Sequence, residues 1–325
     1  MFGAKELKPK IAITETEVEC PVKRCPEKVA RQRKSFRRAT KFRCPRHGIH
    51  ISPSTFEYDS EEDNILWKSP SDTALLKLLK QAKRESRIAR DNSEDALSWN
   101  VFRFLERSKA LLPWVESITG RREGGIEDVV YWSHSSAEKG QWSLLNQARL
   151  EFGEEIERGS EPDIAIVTSE TIVFVEAKLT STSKTSGGKK TLARRLGNPK
   201  SYTTGGDLWF GKVFSSDYET LLNDQKYELM RFWLLGTWMA AQQNRDFFLV
   251  CLVCQENEPE VQEEFLRHIN TTSRRRFLRL TWEEIAEFSL ARCELSDDRE
   301  RFIRYMANKT IGYDHKGQLQ MAFKL

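Results

Sequence analysis

The sequence predicts an α/β protein: a mixed central sheet flanked by helices, with a small, strongly basic module ahead of it. Residues 247–254, FFLVCLVC, form an unbroken apolar run. That is far short of the roughly 20 residues a membrane span needs, and it suits a strand buried on both faces. Residues 163–168 and 171–179 are two β-branched runs joined by Ser169-Glu170, which reads as a hairpin. Around these strands, apolar residues recur at helical spacing before residue 113, between 216 and 244, and again near the end.

The first 50 residues hold 14 Lys/Arg against 5 Asp/Glu, whereas the remainder holds 38 against 43. Such a basic segment on a mildly acidic body points to a polyanionic partner, nucleic acid first among them. The same segment contains Cys20, Cys25, Cys44 and His47, spaced C-x4-C-x18-C-x2-H. Four soft or borderline ligands in two close pairs suit tetrahedral zinc, which stabilises a segment too small and charged to fold on its own apolar core. His50 competes with His47 for the fourth position, and His47 is preferred for its shorter reach. Residues 52–71 are polar and turn-rich and read as a linker, giving a module over 1–70 and a second domain over 71–325.

Within the second domain, Asp72 caps a helix over 72–90, and Ser93 caps another that runs toward Pro113. Extended segments follow at 128–132 and 150–156, then the hairpin. Residues 180–206, rich in Ser, Thr, Gly and Lys, read as a long loop. Ser216 or Asp217 caps one long helix to about Asn244. The buried strand 247–254, a strand over 277–281 and helices over 282–290 and 296–308 complete the order. Cys251 and Cys254 read as core thiols, and Arg274-Arg275-Arg276 as a charged turn able to touch phosphate.

Asp163 opens the first hairpin strand, and Glu176 and Lys178 lie near the end of the second. Alternation places Glu176 and Lys178 on one face, and the hairpin brings Asp163 beside them. Charged groups within so apolar a strand are costly unless they meet a partner or a metal. Two carboxylates suit Mg²⁺ (or Mn²⁺), and a neighbouring lysine offsets charge growing on a phosphate, which is chemistry for hydrolysing phosphodiesters.

Pro162-Asp163 and Glu176-Ala177-Lys178 resemble the motif of the PD-(D/E)XK nuclease superfamily, the restriction-endonuclease-like fold. The resemblance implies an α-β-β-β-α-β core over roughly 93–254 and a Mg²⁺-dependent hydrolase cutting DNA. It places that activity in restriction, phage defence or mobile-element biology; the N-terminus, without the basic cluster and apolar core of a signal peptide, and the short apolar runs read as a cytoplasmic chain with no membrane span. It also nominates Glu94, with Asp95, Glu127 and Asp128 as rivals, as a further acid at the metal site. Gln225 is its polar residue on the following helix, with Tyr227 and Arg231 as weaker candidates. A homodimer is implied for cutting both strands, and a protein partner from the same system is a further expectation. A catalytically silent zinc-containing nucleic-acid binder, or a nuclease acting on RNA, are the alternative readings.

Overall fold

The computed structural model describes residues 6–82, 87–184, 199–294 and 296–323. The chain divides into two compact units, Met1–Leu111 with Trp282–Leu325, and Leu112–Thr281, rather than at residue 70.

The first unit begins with two short antiparallel pairs, β1 (Glu17–Glu19) with β2 (Lys28–Ala30) and β3 (Ile49–Ile51) with β4 (Phe56–Tyr58). Residues 52–71 are more than a linker: they supply β4, a 3-10 turn at Glu61–Asn64 and the buried Ile65, Leu66 and Trp67. Helix α1 (Pro70–Ala82) ends well before residue 90. Its Asp72 accepts from Arg103 of α2 (Glu94–Arg107) at 2.6 Å. Ser93 caps α2, its hydroxyl accepting from Ala96 N–H at 3.1 Å.

Pro113 does not end that helix. The chain turns at Lys109, φ 57°, and Pro113 falls in the first turn of α3 (Leu111–Thr119), where a missing N–H costs no helical hydrogen bond.

The second unit carries a seven-stranded sheet of order β11-β10-β9-β8-β5-β6-β7. Its strands are β5 (Ile126–Tyr131), β6 (His134–Ser135), β7 (Gly140–Gln141), β8 (Ile164–Thr168), β9 (Thr171–Ala177), β10 (Asp246–Val253) and β11 (Arg275–Thr281). β8 pairs antiparallel with both β5 and β9, while β9, β10 and β11 run parallel. The expected hairpin and double-buried strand are therefore both present, and the sheet is mixed.

Residues 150–156 are not extended: Leu150 and Glu151 end α4 (Ser143–Glu151), turns and irregular chain follow, and Leu145, Ala148 and Phe152 are buried at helical spacing. Of the loop expected over 180–206, residues 180–184 are irregular, 185–198 lie outside the described residues, and the remainder enters α5 (Pro199–Val213), which is broken by non-helical backbone at residues 205–208. The helix expected over 217–244 is two, α6 (Tyr218–Asn223) and α7 (Tyr227–Gln242), because Gln225 adopts φ 59° between them. Asp217 caps the first of these, accepting from Thr220 N–H at 2.7 Å.

Alternation sends Ile172, Phe174, Phe247, Leu249, Cys251 and Phe277 into one core with Met230, Trp233, Leu234 and Leu235 of α7. At Gly236 of α7 a Cβ would overlap the Phe247 ring. Gly236→Ala is expected to destabilise the protein by about 1–3 kcal/mol through overpacking, seen as a lowered melting temperature.

Between α7 and the sheet's edge strand, α8 (Val261–Leu266) closes the second unit. The first resumes with α9 (Trp282–Leu290) and α10 (Ser296–Asn308). A final hairpin, β12 (Thr310–Tyr313) with β13 (Leu319–Met321), carried no sequence expectation. It packs Tyr313 and Leu319 into the core of the N-terminal pairs, with Tyr313 stacked on Phe56 at 5.4 Å. Among the described residues, no helix is long and apolar enough to cross a membrane.

Candidate active site and metal centre

The parallel register that pairs Glu176 with Cys251 leaves the end of β9 flanked by buried strand on one side and by the start of β8 on the other. Asp163, one residue before β8, accepts from Ala177 N–H through Oδ2 at 2.8 Å, which ties it to the strand carrying Glu176. Glu176 and Lys178 follow Ile172 and Phe174 onto the face covered by α7. Both are buried, 4% and 7% exposed. Lys178 Nζ donates to Glu176 Oε1 at 2.5 Å and to Glu228 Oε2 at 2.9 Å.

Glu228 was not expected from the sequence. It sits in the first turn of α7, and only the break at Gln225 sets the phase that turns it to Lys178. Gln225 itself is exposed, beside a pocket shared with Lys184, Lys226, Arg267 and His268. Tyr227 and Arg231 belong to a neighbouring network, in which Arg231 Nε donates to Glu154 Oε1 at 2.9 Å and Tyr202 OH donates to the same oxygen at 2.9 Å. Glu154 also accepts from the Ser160 hydroxyl at 2.7 Å, and buried Arg149 donates to the Ser160 carbonyl at 2.6 Å. These bonds hold the segment that delivers Asp163.

Of the other acids considered, Glu127 pairs with Arg245 at 2.7 Å, and Asp128 accepts from Ala137 N–H at 2.9 Å. Both are engaged on β5. Glu94 and Asp95 begin α2 in the first unit, outside the unit that holds Asp163, Glu176 and Lys178.

Burial pushes the Glu176 carboxyl well above the usual range, Asp163 adds to this, and Lys178 only partly opposes it. For Lys178, burial pulls downward, but Glu176, Glu228 and Asp163 together push it above the ordinary lysine value. These three carboxylates favour the ammonium form of Lys178, the form that donates hydrogen bonds to both glutamates. The Asp163 and Glu176 carboxylates, with burial and the charge of Asp163 raising Glu176, are a donor set suited to a hard divalent cation.

In the first unit, one ligand atom from each of Cys20, Cys25, Cys44 and His47 lies within 4.8 Å of every other. Cys20 Sγ is 3.4 Å from His47 Nδ1, Cys44 Sγ is 3.7 Å from it, and Cys25 and Cys44 sulfurs are 3.9 Å apart. These approximate the edges, about 3.8 Å, of a tetrahedron with a zinc–sulfur bond of about 2.3 Å. The set fits a metal ion chemically as well, because burial pushes the Cys20 thiol up, and a cation at the centre removes that penalty. His50 turns elsewhere, its Nε2 3.3 Å from Asp59 Oδ1.

Cys251 and Cys254 are buried. His268 contacts Ser216 Oγ at 3.0 Å and Asp224 at 3.3 Å.

No curated protein and no solved structure matches the chain. Residues 38–306 match the model of the family described as restriction endonuclease associating with ARP, a span that takes in Cys44, His47 and the whole second unit but not Cys20 or Cys25. With most of its 325 residues so matched, the chain belongs to that family of restriction endonucleases associating with ARP.

Proposed function

We propose that the protein is a metal-dependent nuclease that hydrolyses DNA phosphodiester bonds, an endonuclease of restriction, defence or mobile-element biology. The observation that carries this reading is the convergence of Asp163, Glu176, Lys178 and Glu228 at one end of the sheet in a chain of a restriction-endonuclease family. The order of β5, β8, β9 and β10, with α7 covering β9 and β10, supports the resemblance to the PD-(D/E)XK core.

In this reading Asp163 and Glu176 hold a Mg²⁺ ion, which when bound polarises the phosphodiester and acidifies water. Lys178, fixed as a cation by Glu176 and Glu228, donates to the attacking water or to the phosphate oxygen that gains charge. Glu228 holds the ammonium in place, and Gln225 stays the resemblance's polar residue of the helix that follows the hairpin. Ala177 N–H fixes the Asp163 carboxylate. Glu94 stays the resemblance's acid from the first unit. Zinc at Cys20, Cys25, Cys44 and His47 orders the basic N-terminal segment, whose arginines hold the phosphate backbone. The family's description adds a protein partner to DNA as a partner.

The test is incubation of the protein with supercoiled plasmid, linear duplex, single-stranded DNA and RNA, each with and without added Mg²⁺. Cleavage of a DNA substrate only with Mg²⁺ is expected. Salt-sensitive DNA binding without cleavage on any substrate would favour the silent binder, and cleavage of RNA alone would redirect the substrate.

A further inference from the structure

The end of the sheet opposite Asp163 holds a second pocket, of about 300 Å³, lined by Trp209, Thr237, Asn244, Arg245, Arg274 and Arg275. Arg275 pairs with Phe247 in the β10–β11 register, and Cys251 pairs with Glu176. Four residues of strand, about 13 Å, therefore separate this pocket from the acid cluster along the sheet.

The arginines here are unequally occupied. Arg245 is paired with Glu127 at 2.7 Å, and Arg274 with Asp246 at 2.5 Å. Asp246 already receives Arg121 at 2.7 Å, so one carboxylate serves two guanidinium groups. Arg275 shares the face of Phe277 and Arg279, which looks toward α7. Arg279 spends its guanidinium on the carbonyls of Gln255, Asn257 and Glu258 at 2.9, 2.9 and 3.0 Å. Arg275 has no side-chain hydrogen bond or ion pair among the described residues, although it is half-buried. Burial alone shifts it, downward, which is the mark of a cation that no anion accompanies.

Trp209, also in the lining, is held in place. Trp209 Nε1 donates to Thr237 Oγ1 at 3.0 Å, and Thr237 in turn donates to the Trp233 carbonyl at 2.6 Å. Lys212 Nζ lies over one face of the Trp209 ring, 5.2 Å from its centroid, which leaves the other face for a ligand and places a further cation beside the indole. A guanidinium fork grips phosphate oxygens in pairs, and an indole wall accepts a planar ring.

We propose that this pocket binds a nucleoside phosphate, with the phosphate on Arg275 and the base against Trp209, as a site separate from the Asp163 cluster. The phosphate comes from a free nucleotide or from a nucleotide of a strand, and the arms of the test tell these apart. Titration calorimetry on the full chain without added Mg²⁺ uses AMP, inorganic phosphate and a short single-stranded oligonucleotide.

AMP binding is expected, weakened at least about tenfold by Arg275→Gln, since a charge-assisted hydrogen bond to phosphate is lost. Trp209→Leu is expected to weaken AMP while leaving inorganic phosphate unchanged, and Glu176→Ala to leave AMP binding intact. Unaltered melting temperatures in Arg275→Gln and Trp209→Leu separate lost contacts from lost fold. Tighter binding of AMP than of the oligonucleotide identifies a free nucleotide, and the reverse order a strand; both support the site. Absence of AMP binding at millimolar concentration, or unchanged affinity in both pocket variants, overturns it. Phosphate binding as tightly as AMP overturns the assignment of the base to Trp209.

Discussion

Asp163→Asn lowers the Mg²⁺-dependent cleavage rate by about a thousandfold, the scale on which a preorganised charge at a reacting centre acts. The substitution keeps an oxygen that can accept from Ala177 N–H, so β8 and β9 stay joined and the loss is not one of folding. Lys178→Met has an effect of the same order on cleavage, with a second consequence. Removing the ammonium leaves Glu176, already 4% exposed, without its cation, and breaking such a buried pair costs about 3–5 kcal/mol. Lys178→Arg restores the charge and the stability but not the position of a single donor atom, so it separates the two roles. Glu228→Gln, which leaves Lys178 one anionic partner of two, has the smallest effect of the set, about tenfold. Plasmid cleavage rates and thermal melts, measured together, check this order. Wild-type rates in both Asp163→Asn and Lys178→Met would remove the catalytic assignment.

The site was legible where chemistry and periodicity coincide, and illegible where backbone geometry sets the phase. Glu176 and Lys178 stand two residues apart in an apolar strand, so their shared face follows from alternation alone. Glu228 depends on a helix start that Gln225 fixes through a left-handed backbone, which no side-chain pattern in 216–244 announces. The continuous apolar stripe there reads as one helix because α6 and α7 both bury aliphatic residues on the same side of the sheet. Pro113 misled in the opposite direction, since proline marks a helix stop and a first turn equally well. β12 and β13 went unseen because three- and four-residue strands show too few alternations to register as a period. Their position matters for the N-terminal module, whose core they complete with Tyr313 and Leu319.

That dependence sets the expectation for Cys44→Ser. The N-terminal core consists of Ile11, Val18, Val22, Val29, Ile49, Ile51, Phe56 and Tyr58 together with Cys20, Cys25 and Cys44 themselves. A metal held by these cysteines and His47 would therefore sit within the packing and not at its edge. Purified protein is expected to contain about one zinc per chain, as a closed four-ligand site does, and Cys44→Ser to contain almost none. Binding of structural zinc is worth about 10–16 kcal/mol in small modules, so its loss melts the segment it organises. Because Gly317 O accepts from Ile11 N–H at 2.9 Å, and Leu319 N–H donates to Pro9 O at 3.0 Å, the disorder reaches the C-terminal hairpin as well. Increased amide exchange is accordingly expected in residues 11–58 and 310–321 at once, while β8, β9 and β10 keep their protection. His50→Asn retains the zinc, because His50 faces Asp59 and not the cysteines. A Cys44→Ser protein that keeps its zinc, or one that loses it with no change in exchange at either terminus, would refute the structural role of the cluster.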